Sequence, residues 1–279
     1  MIRSLYSGVS GMKIHQIRMD VIGNNIANVN TSGYKSSRAN FQDTLYQMMR
    51  APSAGTSAGT ANTLGGTNPS QVGLGSSVSS ISSNMNGGNL QTTGRTLDLA
   101  IQGNGWFAVS PDAGTTNTTN TTKYYTREGV FYIDEAGYLV NSNGYHLLDT
   151  DGDAINLGAN GVATLNISQG GVITGTDLTG AALTSATITI GLAMFPNQEG
   201  LERVGQNLFK ESVASGNGAL GAPGATGYGT INSGYLEMSN VDLTDEFTNM
   251  IVTQRGYQAN ARTITTSDQM LQELLNIKQ

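Results

Sequence analysis

The 279-residue chain contains no cysteine, one tryptophan, two histidines and only 12% charged residues. Without cysteine, neither a disulfide nor a thiolate zinc site can form. The histidines, His15 and His146, are far apart in the sequence and have no acidic cluster beside them, so they do not predict a metal centre. Charged residues make up about 25% of a typical soluble domain. Uncharged polar residues must therefore supply most of the contact with water.

Long apolar runs and basic clusters are also missing. No apolar run approaches the roughly 18 residues of a membrane helix, so we expect no membrane insertion. The net charge is -6 and the basic residues are scattered singly, whereas nucleic acid or anionic lipid requires a basic patch. We therefore expect neither partner. Gly8, Ser10 and Gly11 interrupt the apolar core that a signal peptide needs, so the sequence does not predict the general secretory route.

Motifs of catalysis are absent as well. There is no nucleophile elbow and no Walker-type phosphate loop. Residues 149–153 resemble the start of a calcium loop, but Ala154 and Asn160 stand where such a loop requires Gly and Glu. We predict a protein that is not an enzyme and that has no cofactor and no metal site.

The strongest pattern that is present lies near the C-terminal end. Apolar residues recur every three or four positions from Leu243, which predicts a helix over 243–279 that would be roughly 55 Å long. A weaker pattern of the same kind covers the first thirty residues. We predict that residues 1–30 and 240–279 pair as a coiled-coil-like helical core domain. The predicted polymerisation seam consists of Leu5, Val9, Met12, Met19, Ile26, Leu243, Phe247, Met250, Tyr257, Ile264, Leu271 and Leu275.

The composition changes between the two helices. Residues 51–89 are dominated by Gly, Ser, Thr, Ala and Asn, so we predict an extended connecting arm over 31–93. From Leu97 onward, short apolar runs alternate with turn signals such as Asn143-Gly144, which indicates antiparallel strands. The predicted fold class is α+β, with the helical core, the arm, and an outer, mainly antiparallel β domain over 94–239.

The outward faces of the C-terminal helix leave two interpretations open. Amide and hydroxyl residues such as Asn249, Thr253 and Asn260 replace the charges of an ordinary solvated face. The helices either form only an intramolecular hairpin or also bind other copies of the chain. Repeated head-to-tail contact that does not close into a ring builds an open helical tube.

Three blocks of sequence resemble one family. The segments within 5–35 and 237–271 are similar to the terminal signatures of bacterial flagellar rod and hook axial proteins, and the block at 93–107 is similar to a central motif of that family. The resemblance implies a tube of paired terminal helices with an outer β domain. The signature positions are Asn24, Asn25, Asn28, Gly33, Gly94, Arg95 and Asp98.

Within the family, two functions compete. The block 94–98 and the Gly-rich stretch 65–75 look like short hook proteins of Gram-positive type, whereas 45–52 is similar to the opening of a segment that marks distal-rod proteins. We predict a structural subunit of the flagellar hook, a flexible joint that transmits torque from rod to filament. The alternative is the distal rod, a rigid drive shaft. A different class is a secreted β-rich adhesin or carbohydrate-binding module.

The resemblance also implies partners and a location. The partners are other copies of the chain in a helical homopolymer, together with rod, hook-cap and hook-filament junction proteins. The chain would pass unfolded through the flagellar export apparatus and reside in the hook and basal body outside the cell. A flexible arm at 51–89 would give a hook its compliance.

Overall fold

The computed structural model divides into two compact units. We call them the helical unit (Met1–Ile26, Ser37–Ser82 and Leu243–Gln279) and the β unit (Ala27–Ser36 and Ser83–Asp242). The middle of the predicted arm and the last two residues of the predicted C-terminal helix lie outside the residues that the structure describes. The structure describes residues 2–54, 65–112, 122–158, 161–178, 180–183 and 188–277.

Two long helices confirm the helical pattern at both ends of the chain. Helix α1 spans Ile2–Ala27 and helix α2 spans Leu243–Ile277. The first turn of α2 carries Asp245 and Glu246, whose negative charges favour the positive end of the helix dipole. In the described part of the chain, neither helix has the length of apolar sequence required to cross a membrane.

The two helices contact each other in antiparallel orientation. Ser4 Oγ lies 3.3 Å from Ser267 Oγ, and the Arg18 guanidinium donates to Asn249 Oδ1 at 3.0 Å. The predicted pairing through an apolar heptad seam is not confirmed. Thr253 is fully buried, whereas the seam residue Phe247 is 50% exposed. Small and polar side chains mediate the contact instead.

The first four strands after α1 form a long two-stranded hairpin. Its strands are β1 (Ser37–Asp43), β2 (Tyr46–Arg50), β3 (Ser70–Gly73) and β4 (Ser76–Ser83). Strand β1 pairs with β4, and β2 pairs antiparallel with β3. The hairpin belongs to the helical unit as far as Ser82.

The extended arm predicted over 31–93 is therefore not confirmed. The Ser, Asn and Gly residues of this segment do not show the apolar alternation of a strand, because hydroxyl and amide side chains rather than apolar ones join the two strands. The Asn40 amide donates to the hydroxyls of Ser80 and Ser82, both at 3.2 Å, and the hydroxyls of Ser53 and Thr67 lie 2.8 Å apart. Such cross-strand pairs stabilise a hairpin that has few apolar side chains.

The β unit contains the remaining strands, and every strand pairing described in it is antiparallel. This confirms the prediction of a mainly antiparallel β body. The strands are β5 (Leu90–Thr92), β6 (Leu99–Gln102), β7 (Trp106–Ser110), β8 (Tyr124–Thr126), β9 (Phe131–Ile133), β10 (Leu139–Asn141), β11 (His146–Leu147), β12 (Val162–Ile167), β13 (Ile173–Asp177), β14 (Leu192–Met194), β15 (Glu202–Gly205), β16 (Leu208–Lys210), β17 (Ala219–Gly221), β18 (Thr230–Ser233) and β19 (Tyr235–Glu237).

The core of the β unit lies on both faces of its largest sheet. That sheet has the order β15-β16-β8-β7-β11-β10-β9, with β14 also pairing β7. Successive side chains of a strand point to opposite faces. Accordingly, Phe107 and Val109 of β7 enter one apolar cluster, while Trp106 and Ala108 enter a second. Strand β7 is therefore buried on both sides.

Candidate assembly site

The strip of α2 that faces α1 is built from small and polar residues. A Cβ atom on Gly11 would lie 2.6 Å from the Asn260 amide, and one on Gly256 would lie 2.6 Å from the His15 ring. These glycines therefore let the opposing side chains approach the backbone closely. Burial and the nearby charge of Arg18 lower the pKa of His15. Ile264 also packs closely against α1, because its Cγ1 would lie 3.1 Å from a Cβ atom on Gly8.

The predicted seam residues are distributed accordingly. On α1, only Val9 is exposed, at 42%. On α2, four of the seven seam residues are exposed. The half-buried members are Leu5, Met12, Met19, Ile26, Met250, Ile264 and Leu271, and the exposed members of α2 are Leu243, Phe247, Tyr257 and Leu275. The structure thus buries seven of the twelve seam side chains in part and leaves the other five exposed.

Two exposed apolar flanks run along α2, one on each side of the contact strip. With 3.6 residues per turn, Leu243 and Phe247 project to one side, Ile251 lies where that side meets the face opposite the strip, and Val252 and Met270 project to the other side. We call these the Phe247 flank and the Met270 flank. The members of the Phe247 flank are Leu243, Phe247, Ile251 and Tyr257, and those of the Met270 flank are Val252, Met270, Leu274 and Ile277; their side chains are 39–80% exposed.

The fourth face of α2 is polar. Arg255, Gln258 and Arg262 lie opposite the contact strip and are exposed. The Arg255 guanidinium donates to Gln258 Oε1 at 3.2 Å. With Ala259, these three residues line a shallow cleft on the helix surface. Helix α2 therefore offers one polar face and two apolar flanks to its surroundings.

The signature residue Asn25 fixes the end of α1 within the helical unit. Its side chain is 1% exposed. The amide nitrogen donates to Ser37 O at 2.8 Å and to Glu246 Oε1 at 2.9 Å, while the amide oxygen accepts from Ser37 N at 3.0 Å. Burial raises the pKa of Glu246, an effect that the Asn25 bond opposes. An asparagine can perform this double role because it carries both donors and an acceptor.

Three further signature residues occupy the end of α1 and the turn after it. Asn24 is exposed on α1. Asn28 Oδ1 accepts from the Thr31 hydroxyl at 3.1 Å. Gly33 has φ +68°, and a Cβ atom there would lie 2.6 Å from the Arg127 carbonyl carbon. Both the backbone angle and the contact therefore require glycine at this position.

The central signature forms a clamp in the β unit. Arg95 pairs with Asp98 at 3.2 Å and donates to Phe131 O at 2.6 Å. Its guanidinium also lies 4.5 Å from the centroid of the Tyr132 ring. Gly94, just before it, has φ +71°. These residues hold the segment before β6 against the edge strand β9.

Sequence reasoning missed a buried ion cluster in the β unit, which we call the Glu237 triad. Lys35 Nζ lies 2.5 Å from Glu237 Oε1, and Arg127 Nη1 lies 3.1 Å from Glu237 Oε2; all three side chains are at most 1% exposed. Burial lowers the pKa of Lys35, and the charge of Glu237 opposes that change. Lys35 and Glu237 stand in the two terminal signatures, but no sequence signal pairs them with Arg127.

Comparison with known proteins decides the family. Family models match in three places, described as "Flagella basal body rod protein" (residues 5–35), "Flagellar hook protein FlgE/F/G D1 domain" (100–175) and "Flagellar basal body rod FlgEFG protein C-terminal" (232–277). The flagellar basal-body rod protein FlgG of Bacillus subtilis is 48% identical over 279 residues and is covered completely, as is this chain. The chain belongs to the flagellar basal-body rod and hook protein family.

Other members of this rod and hook family are similar along their whole length. FlgG of Caulobacter vibrioides is 40% identical over 271 residues, which cover 97% of each chain. The flagellar hook protein FlgE of Borreliella burgdorferi is 30% identical over an alignment of 456 positions that covers both chains completely. Membership confirms a structural, non-enzymatic component of the flagellum.

Proposed function

We propose that this chain is a subunit of the distal rod and polymerises through its terminal helices into a stiff helical tube. The observation that carries the proposal is the 48% identity over the full length of a protein named as a basal-body rod protein. Similarity to a hook protein is lower, at 30%. The hook function predicted from the sequence is not confirmed and remains the second candidate.

The two flanks of α2 support polymerisation through more than one interface. The four side chains of one flank are already partly buried, so covering them fully would contribute roughly 3–6 kcal/mol. Association costs about 4–15 kcal/mol in lost freedom of motion. One flank alone therefore gives a weak contact. A subunit that contacts neighbours through both flanks is held stably, and such head-to-tail contacts generate a helix when they do not close.

The hairpin of the helical unit supports a stiff polymer. An isolated two-stranded hairpin is marginal in water, yet this one exposes Leu45, Tyr46, Met48 and Met49 by 53–81%. We propose that a second copy of the chain covers this apolar surface. A paired ribbon clamped between copies resists extension more than a Gly-rich linker does, which suits a drive shaft better than a flexible joint.

Electron microscopy of polymers grown from the purified chain tests this function. We expect straight tubes from the wild-type chain, and curved tubes would favour the hook instead. Phe247→Asp should raise the concentration needed for polymerisation at least 100-fold, because the new charge would be buried between copies. Thr248→Asp adds the same group at the next position of α2, which is exposed and projects about 100° away from Phe247, and it should polymerise normally. Tubes of Phe247→Asp at the wild-type concentration would contradict the proposed role of the flank.

A further inference from the structure

The two units differ strongly in charge. The β unit contains 14 of the 20 Asp and Glu residues but only 6 of the 14 Lys and Arg residues, which gives it a net charge of -8. The helical unit has the remaining +2. In a polymer, copies of the β unit lie near one another, and like net charge makes them repel. Contacts between β units therefore need local sites where opposite charges meet.

Four of the six cationic side chains in the β unit are already engaged within the chain. Lys35 and Arg127 share Glu237, and Arg95 pairs with Asp98. Arg203 donates to Lys35 O at 2.6 Å, and its guanidinium lies 5.5 Å from the centroid of the Phe209 ring. These groups are therefore committed to the fold of the unit.

The other two cations, Lys123 and Lys210, line one cleft of about 440 Å³. Within the described residues, neither ammonium group forms an ion pair. Glu211 also lines this cleft, but its Oε1 already accepts from the Tyr125 hydroxyl and from Gly218 N. We call it the lysine cleft. It is a site in this acidic unit where two cations remain available to an anionic partner.

A pair of exposed acidic residues lies elsewhere on the same unit. Strands β9 and β10 are joined by a turn that contains Asp134 and Glu135, both exposed. The turn is closed by hydrogen bonds from Gly137 N to Asp134 O and from Asp134 N to Tyr138 O, each 2.9 Å. Among the described residues, neither carboxylate has an ion-pair partner. Two adjacent carboxylates on a rigid turn are complementary to two lysines in one cleft.

We propose that the lysine cleft binds the Asp134–Glu135 turn of a neighbouring copy in the polymer. The inference rests on the proposed polymerisation and names the contact between β units. A free anion in solution is repelled by the net charge of the unit. A turn presented by a neighbour that is already bound through the helices has an effective concentration in the millimolar range. Modest attraction between exposed charges is then sufficient.

Charge reversal combined with rescue tests the proposal in the full-length chain. The measured quantity is the critical concentration for polymerisation, determined by light scattering and sedimentation at 50 mM and 500 mM NaCl. Lys123→Glu with Lys210→Glu should raise it about tenfold at low salt and much less at high salt, where the Debye length is short. The charge-preserving pair Lys123→Arg with Lys210→Arg should match the wild type.

A rescue variant that restores opposite charges at the contact provides the decisive test. Adding Asp134→Lys and Glu135→Lys to the double glutamate variant should return the critical concentration to within about threefold of the wild type. A reversal that has no effect, or one that these additions do not rescue, overturns the proposed contact. The wild-type chain in the same assay tests the proposed function, which fails if that chain forms no polymer at all. The charge variants test only the contact between β units.

Discussion

The Glu237 triad gives the sharpest prediction about stability. Glu237→Gln preserves the shape of the side chain but leaves Lys35 and Arg127 as two buried cations without a compensating charge. Breaking a buried ion pair in this way costs about 3–5 kcal/mol. One kcal/mol shifts the melting temperature of a unit of this size by about 2–4 °C. We therefore expect the β unit to melt about 6–20 °C lower.

A second variant, Lys35→Met, tests whether the loss of stability comes from the unbalanced charge. Lys35→Met removes one cation and leaves Arg127 and Glu237 as a balanced pair, so we expect a loss below half of that for Glu237→Gln. Glu202→Gln, on an exposed position of strand β15, serves as the control and should change stability by at most about 0.5 kcal/mol.

Trp106 provides the assay because it is the single tryptophan of the chain. Its ring is fully buried and lies 5.3 Å from the Arg127 guanidinium, so its fluorescence reports unfolding of the β unit. Urea titrations of the three variants and the wild type give the free energies of unfolding. A loss for Glu237→Gln that is equal to or smaller than that for Lys35→Met would refute the argument from charge balance.

Two further predictions concern the helices and the close contacts of glycine. The pKa of His15 is lowered in the folded chain, so the unfolded chain binds more protons as the pH falls through about 6.5. The helical unit should therefore lose stability from that pH downward until the pKa of His15 in the folded chain is passed. Hydrogen exchange of α1 measures this loss, which should be missing in His15→Gln apart from the effect of Glu246 titration that both chains share. Gly129→Ala should destabilise the β unit by several kcal/mol, because its Cβ atom would lie 1.6 Å from Leu99 O. Gly23→Ala should instead stabilise α1 by about 0.5–1 kcal/mol, because no atom lies within 4 Å of the added Cβ atom. Thermal unfolding followed by circular dichroism checks both variants.

The helices and strands were predictable because their periodicity is local. The recurrence of apolar residues from Leu243 onward marked α2, and short apolar runs such as 106–109 marked the strands of the β unit. The hairpin at 37–83 escaped prediction because its strands are joined by hydroxyl and amide groups, and among their described residues only Ala39 is buried. Strands with so few apolar residues lack the alternation on which recognition depends.

The candidate site was predictable only in part, for a different reason. Periodicity identifies which residues of α2 are apolar, but it does not tell which face meets α1. Close approach at Gly11 and Gly256 selected the polar strip for that contact and left Phe247 exposed. The Glu237 triad joins residues 202 and 110 positions apart along the chain, a pairing that only the folded backbone specifies.

The unequal flanks of α2 give each subunit a front and a back. The Phe247 flank covers residues 243–257 on one side of the helix, whereas the Met270 flank covers residues 252–277 on the other. When such subunits add head to tail, the two ends of the assembly expose different surfaces. Growth is then directional, and a protein that terminates one end cannot terminate the other.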